Sequence, residues 1–282
     1  SRLEGPQKDA DSFLVGVSCP RFQTGDAKAV IGQSVRGMDV YLLTDVGNYN
    51  CTYSMFGQPV PMSPDDHYQD LKRAIEAVGG KAHRITVIMP ILYGGRQHRR
   101  TSRESLDCAV ALQELRNMGV HSIITFDAHD PRVQNAVPLM GFDNVMPSYQ
   151  TLKALLHHVP DIVINKDSFM VVSPDEGAID RNVYYASVLG VDMGMYYKRR
   201  DYSRIVNGRN PIVAHEFLGN DIHGKDVFIY DDIISSGDSM LDIAYDLRKR
   251  GAGRIFAGCT YALFTEGADK FTEAVENGYL SG

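Results

Sequence analysis

A chain of 282 residues, 44% apolar and 23% charged, is long enough for one large or two modest cores and has the balance of a soluble globular protein. Its 29 Lys and Arg against 35 Asp and Glu leave a net charge of -6, which excludes the basic footprint of nonspecific nucleic-acid binding. No apolar run approaches a membrane span, residues 1–11 are too polar for a signal peptide, and the 4 cysteines form no C-x-x-C pair. We therefore expect no membrane, no zinc site, no disulfide framework and a cytoplasmic location.

Past the polar arm, residues 13–17 and 29–31 read as two short strands joined by a Gly turn, and 39–43 as a buried strand. Residues 44–64 show no period and read as a long loop. Tyr68, Leu71, Ile75 and Val78 make one face of a helix over 65–78 that Gly79 stops. A strand over 85–92 runs into the loop Tyr93-Gly94-Gly95-Arg96-Gln97-His98-Arg99-Arg100. Thr101 with Glu104 forms a capping box for a helix whose core face is Cys108, Ala111, Leu112 and Leu115. The strand 122–126 ends at Asp127-Ala128-His129. A helix over 149–158, a strand over 169–172, Ser173-Pro174-Asp175-Glu176-Gly177, another helix and a strand over 192–197 follow, ending at Lys198-Arg199-Arg200. The polar stretch 201–224 reads as a lid, and an apolar strand at 255–263 is the last element. Strands alternating with helices predict α/β architecture, in two domains over 12–147 and 148–282.

Residues 227–239 organise the rest. Val227 to Tyr230 form a short buried strand, and Met240, Ile243, Ala244 and Leu247 form the apolar stripe of the helix beyond. Between them lie Asp231, Asp232 and a hydroxyl-rich loop opening onto a helix N-terminus. Such a loop favours a phosphate, and paired carboxylates accept hydrogen bonds from the vicinal hydroxyls of a sugar. A ribose 5-phosphate suits both parts; a plain strand, turn and capped helix with solvated aspartates is the alternative. Asp127 and His129 project to one side of a strand end, either as a polar pair or as ligands for a divalent ion that keeps its waters. Arg96, Arg99, Arg100 and Arg103 are either a solvated face or a polyphosphate site. All these groups fall at the carboxyl ends of predicted parallel strands, where α/β proteins bind ligands.

Asp231-Asp232-Ile233-Ile234-Ser235-Ser236-Gly237-Asp238-Ser239 resembles the phosphoribosyl pyrophosphate motif shared by type I phosphoribosyltransferases and ribose-phosphate pyrophosphokinases. With the segments at 21–26, 34–41, 90–97, 123–134, 171–177 and 198–200, the chain from about Phe13 to Thr265 resembles the pyrophosphokinases. The resemblance implies two tandem phosphoribosyltransferase-type (type I) domains, each a mostly parallel sheet flanked by helices. The first would carry the ATP and metal side, the second the ribose 5-phosphate loop.

The implied reaction transfers the diphosphoryl group of ATP to the C1 hydroxyl of ribose 5-phosphate, giving phosphoribosyl pyrophosphate and AMP. The resemblance gives Phe22, Asp26, Arg96 and Gln97 to ATP, and His129 with Asp127 to magnesium. Lys198 and Arg200 are implied to be catalytic. Asp175, Asp231, Asp232, Ser235, Ser236, Gly237 and Ser239 are implied to hold the sugar phosphate. It also implies a homo-oligomer of dimers assembling into hexamers, with Phe22 and Asp26 reaching a neighbouring subunit's adenine. Departures are His98 for the usual Asp, Thr24 at a commonly acidic position, Ala178 for a second Gly, Ser239 for Thr, and Asp238 for Gly. Asp238 would repel a phosphate unless it points away. Relative to the family, the chain starts after the first strand and stops before the last strand and helix, so an exposed sheet edge is expected. The competing readings are a non-catalytic regulatory homologue and a phosphoribosyltransferase; the latter leaves Arg96 and His129 unexplained.

Overall fold

Both halves of the chain build parallel sheets. The structure, a computed structural model, describes the backbone of residues 13–200 and 212–282, and their side chains except at 198–200 and 212–215. It divides into two units, Ser1–Val145 and Met146–Gly282.

In the first unit β1 (Val17–Ser18) pairs antiparallel with β2 (Val30–Ile31). Between them a turn is closed by an Arg21–Ala27 bridge. There follow β3 (Asp39–Leu43), the hairpin β4 (Thr52–Met55) and β5 (Gln58–Pro61), α1 (Pro64–Val78), β6 (Arg84–Ile88), α2 (Asp107–Asn117), β7 (Ser122–Phe126) and β8 (Gly141–Val145). The sheet runs β3-β6-β7-β8, parallel throughout. Ser63 and Asp66 form a reciprocal capping box at the start of α1, and Gly79 ends it at φ 60°.

Several expectations for this unit need correction. The stretch 44–64 is not all loop: Phe56 and Gly57, at φ 48° and 77°, make the left-handed turn that joins β4 to β5. β3 is a strand but not a buried one. It pairs on one side only, and Tyr41 and Leu43 are 63% and 72% exposed. The Thr101 N–H does donate to Glu104, yet α2 starts only at Asp107 and Leu106 gives it no side-chain cap. β8 was not anticipated.

The second unit contains α3 (Ser148–His158), β9 (Phe169–Ser173), α4 (Ile179–Leu189), β10 (Asp192–Arg200), β11 (Ile212–Leu218), β12 (Asp226–Ile234), α5 (Asp238–Lys249), β13 (Ile255–Ala262) and α6 (Asp269–Glu276). Its sheet runs β11-β10-β9-β12-β13, parallel except for β11. Alternation along β9 and β12 sends side chains to opposite faces. Met170, Val172, Val227 and Ile229 join Met240, Ile243, Ala244 and Leu247 of α5, while Phe169, Val171, Phe228 and Tyr230 join Leu155, Tyr185 and Ala186. Each fully buried aliphatic side chain contributes about 1.5–3 kcal/mol. This two-faced burial holds the β9 and β12 ends, where the charged groups sit. Part of the expected lid is strand β11; residues 201–211 lie outside the described residues. Among the described residues no helix is long and apolar enough to cross a membrane.

Candidate active site

In the first unit the 93–100 loop leaves the carboxyl side of β6 and meets the turn that leaves β7. Gln97 fastens the loop to itself: its backbone N–H donates to the Gly94 carbonyl at 2.8 Å, and its side-chain amide donates to the Ser105 carbonyl at 2.7 Å. Arg96 is thereby left exposed. The His98 ring packs 5.3 Å from that of His129, with its Nε2 3.5 Å from the Asp130 carboxylate. Burial first, and then the positive charges of His129, Arg99 and Arg132 against an upward pull from Asp130, hold His98 below the ordinary imidazole range, and its Nδ1 is buried without a hydrogen-bond partner. Hydrogen bonds from Arg132 push Asp130 down to about 2.

Asp127 is buried at 2% exposure and sits in the left-handed region, φ 43°. Its N–H donates to the Val145 carbonyl, and the Ala128 N–H donates to the Asn144 side chain. A non-Gly residue held there by surrounding bonds marks a turn that the fold over-determines. One carboxylate and one imidazole suit a hard cation that keeps most of its waters. Among the described residues no group of three or more such ligands occurs. Phe22 and Asp26 lie exposed on the turn between β1 and β2, where the Phe22 N–H donates to the Asp26 carbonyl at 2.7 Å.

In the second unit the aspartates do not follow the strand; they lie inside it. β12 pairs with β13 through Asp231 and on to Ile234, whereas its pairing with β9 stops at Ile229. That leaves the carboxylates at a strand with one open side. Asp232, 3% exposed, faces the Arg181 guanidinium of α4 at 3.6 Å. Burial first, and then the neighbouring Asp232 and Asp175 carboxylates, push Asp231 well above the usual carboxylate range. Asp175 accepts from the Gly177 and Ala178 N–H groups at 3.0 and 3.2 Å, which shapes the turn into α4. Asn182, fully buried, donates to the Ala178 and Tyr230 carbonyls and so fixes α4 to β12 beside the aspartates. Ser235, Ser236 and Gly237 lead into α5, with Ser239 in its first turn and Gly237 at φ 90°. Asp238 is turned aside: Lys270 contacts it at 2.6 Å, and the Ser236 hydroxyl donates to it at 2.9 Å. Lys198 and Arg200 lie on β10, opposite His215 and Ile212 of β11, but their side chains lie outside the described residues.

Sequence reasoning overlooked Arg181, Asn182, Asp130, Arg132 and Lys270. Arg181 and Asn182 had a local signal, since they sit on the buried side of α4 with Tyr185 and Ala186, where polar residues need partners. Lys270 had none, because its partner is distant in the chain.

A parallel α/β sheet with paired aspartates in a central strand, a hydroxyl-rich loop and a helix N-terminus defines a phosphoribosyltransferase-type domain. Residues 7–119 match the family model for the N-terminal domain of ribose phosphate pyrophosphokinase, and residues 143–270 match that for the phosphoribosyl transferase domain. The ribose-phosphate pyrophosphokinase of Vibrio cholerae is 29% identical over 273 residues, covering 94% of this chain and 77% of that protein. Its namesake from Ralstonia nicotianae is 28% identical over 251 residues, 88% and 71% of the two chains. Phosphoribosylpyrophosphate synthetase from Mycobacterium smegmatis shares the fold, with a TM-score of 0.73 at 22% identity over 89% of this chain and 74% of that one. The chain belongs to the ribose-phosphate pyrophosphokinase family of enzymes.

Proposed function

We propose that this enzyme transfers the diphosphoryl group of ATP to the C1 hydroxyl of ribose 5-phosphate, releasing AMP and phosphoribosyl pyrophosphate. The observation that carries the reading is the packing of His98 on His129, which joins the arginine-bearing loop to the Asp127 turn. A phosphoribosyltransferase has no use for that second anion site. Arg96 meets the ATP phosphates, and Gln97 keeps the loop in the shape that presents it. Phe22 and Asp26, exposed on their turn, reach the adenine of a neighbouring subunit in a homo-oligomer built from dimers into hexamers.

Asp127 and His129 hold magnesium together with the nucleotide. The ion supplies charge neutralisation to the polyphosphate. Asp231 and Asp232 accept from the ribose hydroxyls, with Asp175 beside them, and Ser235, Ser236, Gly237 and Ser239 receive the 5-phosphate at the α5 N-terminus. Lys198 and Arg200 meet the charge that develops on the transferring group; positioning and charge stabilisation are most of what phosphoryl transfer asks of a protein.

Phosphorus NMR of the chain with magnesium, ATP and ribose 5-phosphate tests the reaction. AMP and a diphosphate bonded to C1 of ribose are expected, and Lys198→Ala is expected to abolish both. A folded chain that binds ribose 5-phosphate without turnover would instead be a regulatory homologue.

A further inference from the structure

The loop proposed to receive the 5-phosphate carries a carboxylate of its own. Asp238 opens α5, where the helix dipole favours any anion, and it already holds the Ser236 hydroxyl at 2.9 Å. It therefore brings a negative charge to the loop that a phosphate would enter. Lys270 reaches its other oxygen, Oδ1, at 2.6 Å, while Glu266 steadies the ammonium at 2.8 Å. The helix that carries Lys270 is seated on the loop. A Cβ at Gly237 would overlap the Phe271 ring, and Phe271 packs edge-on to Phe264 with centroids 5.1 Å apart. The Thr265 N–H donates to the Ser235 carbonyl at 3.1 Å, tying the segment before α6 to the same loop.

We infer that Lys270 is a positioning residue for the sugar phosphate: it neutralises and holds aside Asp238, so that a dianionic phosphate entering the loop meets an ion pair and not a lone carboxylate. The inference rests on the ribose 5-phosphate reading of this loop. The pair is too exposed to contribute much to stability, with Asp238 at 64% and Lys270 at 27% side-chain exposure, so its removal acts on binding and spares the fold. The lysine also holds Asp238 below the ordinary carboxylate range, so the carboxylate is charged at neutral pH.

Titration calorimetry of the full chain with ribose 5-phosphate, and with ribose as the phosphate-free control, tests this. Lys270→Met is expected to weaken ribose 5-phosphate binding about tenfold, the scale of one solvent-screened like charge close to a phosphate. The same variant should leave ribose binding and the thermal midpoint unchanged. Lys270→Arg should bind as the parent does, and adding Asp238→Asn to Lys270→Met should restore the affinity, because the repelling charge is gone. Unchanged affinity in Lys270→Met overturns the inference, as does a loss that Asp238→Asn does not relieve. A folded parent chain that binds no ribose 5-phosphate overturns the loop reading itself, a result visible before any variant is compared.

Discussion

Arg181 and Asp232 are both nearly buried, with their opposite charges 3.6 Å apart. Removing one partner of such a pair strips compensation from a charge in a medium that solvates it poorly. Arg181→Met is expected to destabilise the second unit by about 3 kcal/mol and to weaken ribose 5-phosphate binding, read by chemical denaturation and calorimetry; Arg181→Lys should recover part of both. Asp231 is the opposite case. Its carboxyl is raised by burial and by Asp232 and Asp175, so the folded state holds a proton that the unfolded chain gives up at lower pH. Between the ordinary aspartate value of about 4 and the raised value, the unfolded state binds fewer protons and stability falls as pH rises. Asp231→Asn should therefore raise the thermal midpoint, by an amount that grows across that window and then levels, while weakening sugar binding. An equal gain at pH 4 and pH 7 would contradict the assignment.

At the scale of elements, the turn between β1 and β2 is held from outside. Arg21 grips Asp70 of α1 with two hydrogen bonds, 2.9 and 2.8 Å, and lies over the Tyr53 ring of β4 at 4.7 Å. Arg21→Ala should loosen the turn carrying Phe22 and Asp26, raising KM for ATP severalfold while leaving ribose 5-phosphate binding intact. Equal losses for both ligands would point to general unfolding.

Such tethers explain what sequence reading could reach. The buried faces of α1 and α5 follow from spacing, and residues 122–126 fold as read, because one residue pattern decides each. The hairpin in 44–64 lacked alternation, and its turn depended on Phe56 adopting a left-handed conformation that its side chain disfavours. The family motifs pointed to the aspartates and the loop, but the reading set the aspartates beyond a strand that in fact runs through them. The motifs gave no sign that β12 pairs past Asp231 on the β13 side alone, since strand partners come from elsewhere in the chain.

For the whole molecule, the donor sets at the two ends of the proposed reaction differ. Among the described residues no group of three or more metal-type ligands is assembled; the ion proposed at Asp127 and His129 would take the rest of its shell from water and nucleotide. A chelator is expected to stop AMP release without moving the thermal midpoint of the ligand-free chain; a fall of several degrees would mean a resident structural ion. The seating of Phe271 on Gly237 also bears on how the protein is made. A ribosome releases the 235–239 loop before α6, so in the nascent chain the loop lacks the packing of Phe271 on Gly237. In the proposed role of that loop, a chain is expected to bind sugar phosphate only once α6 has been synthesised and Phe271 can seat on Gly237.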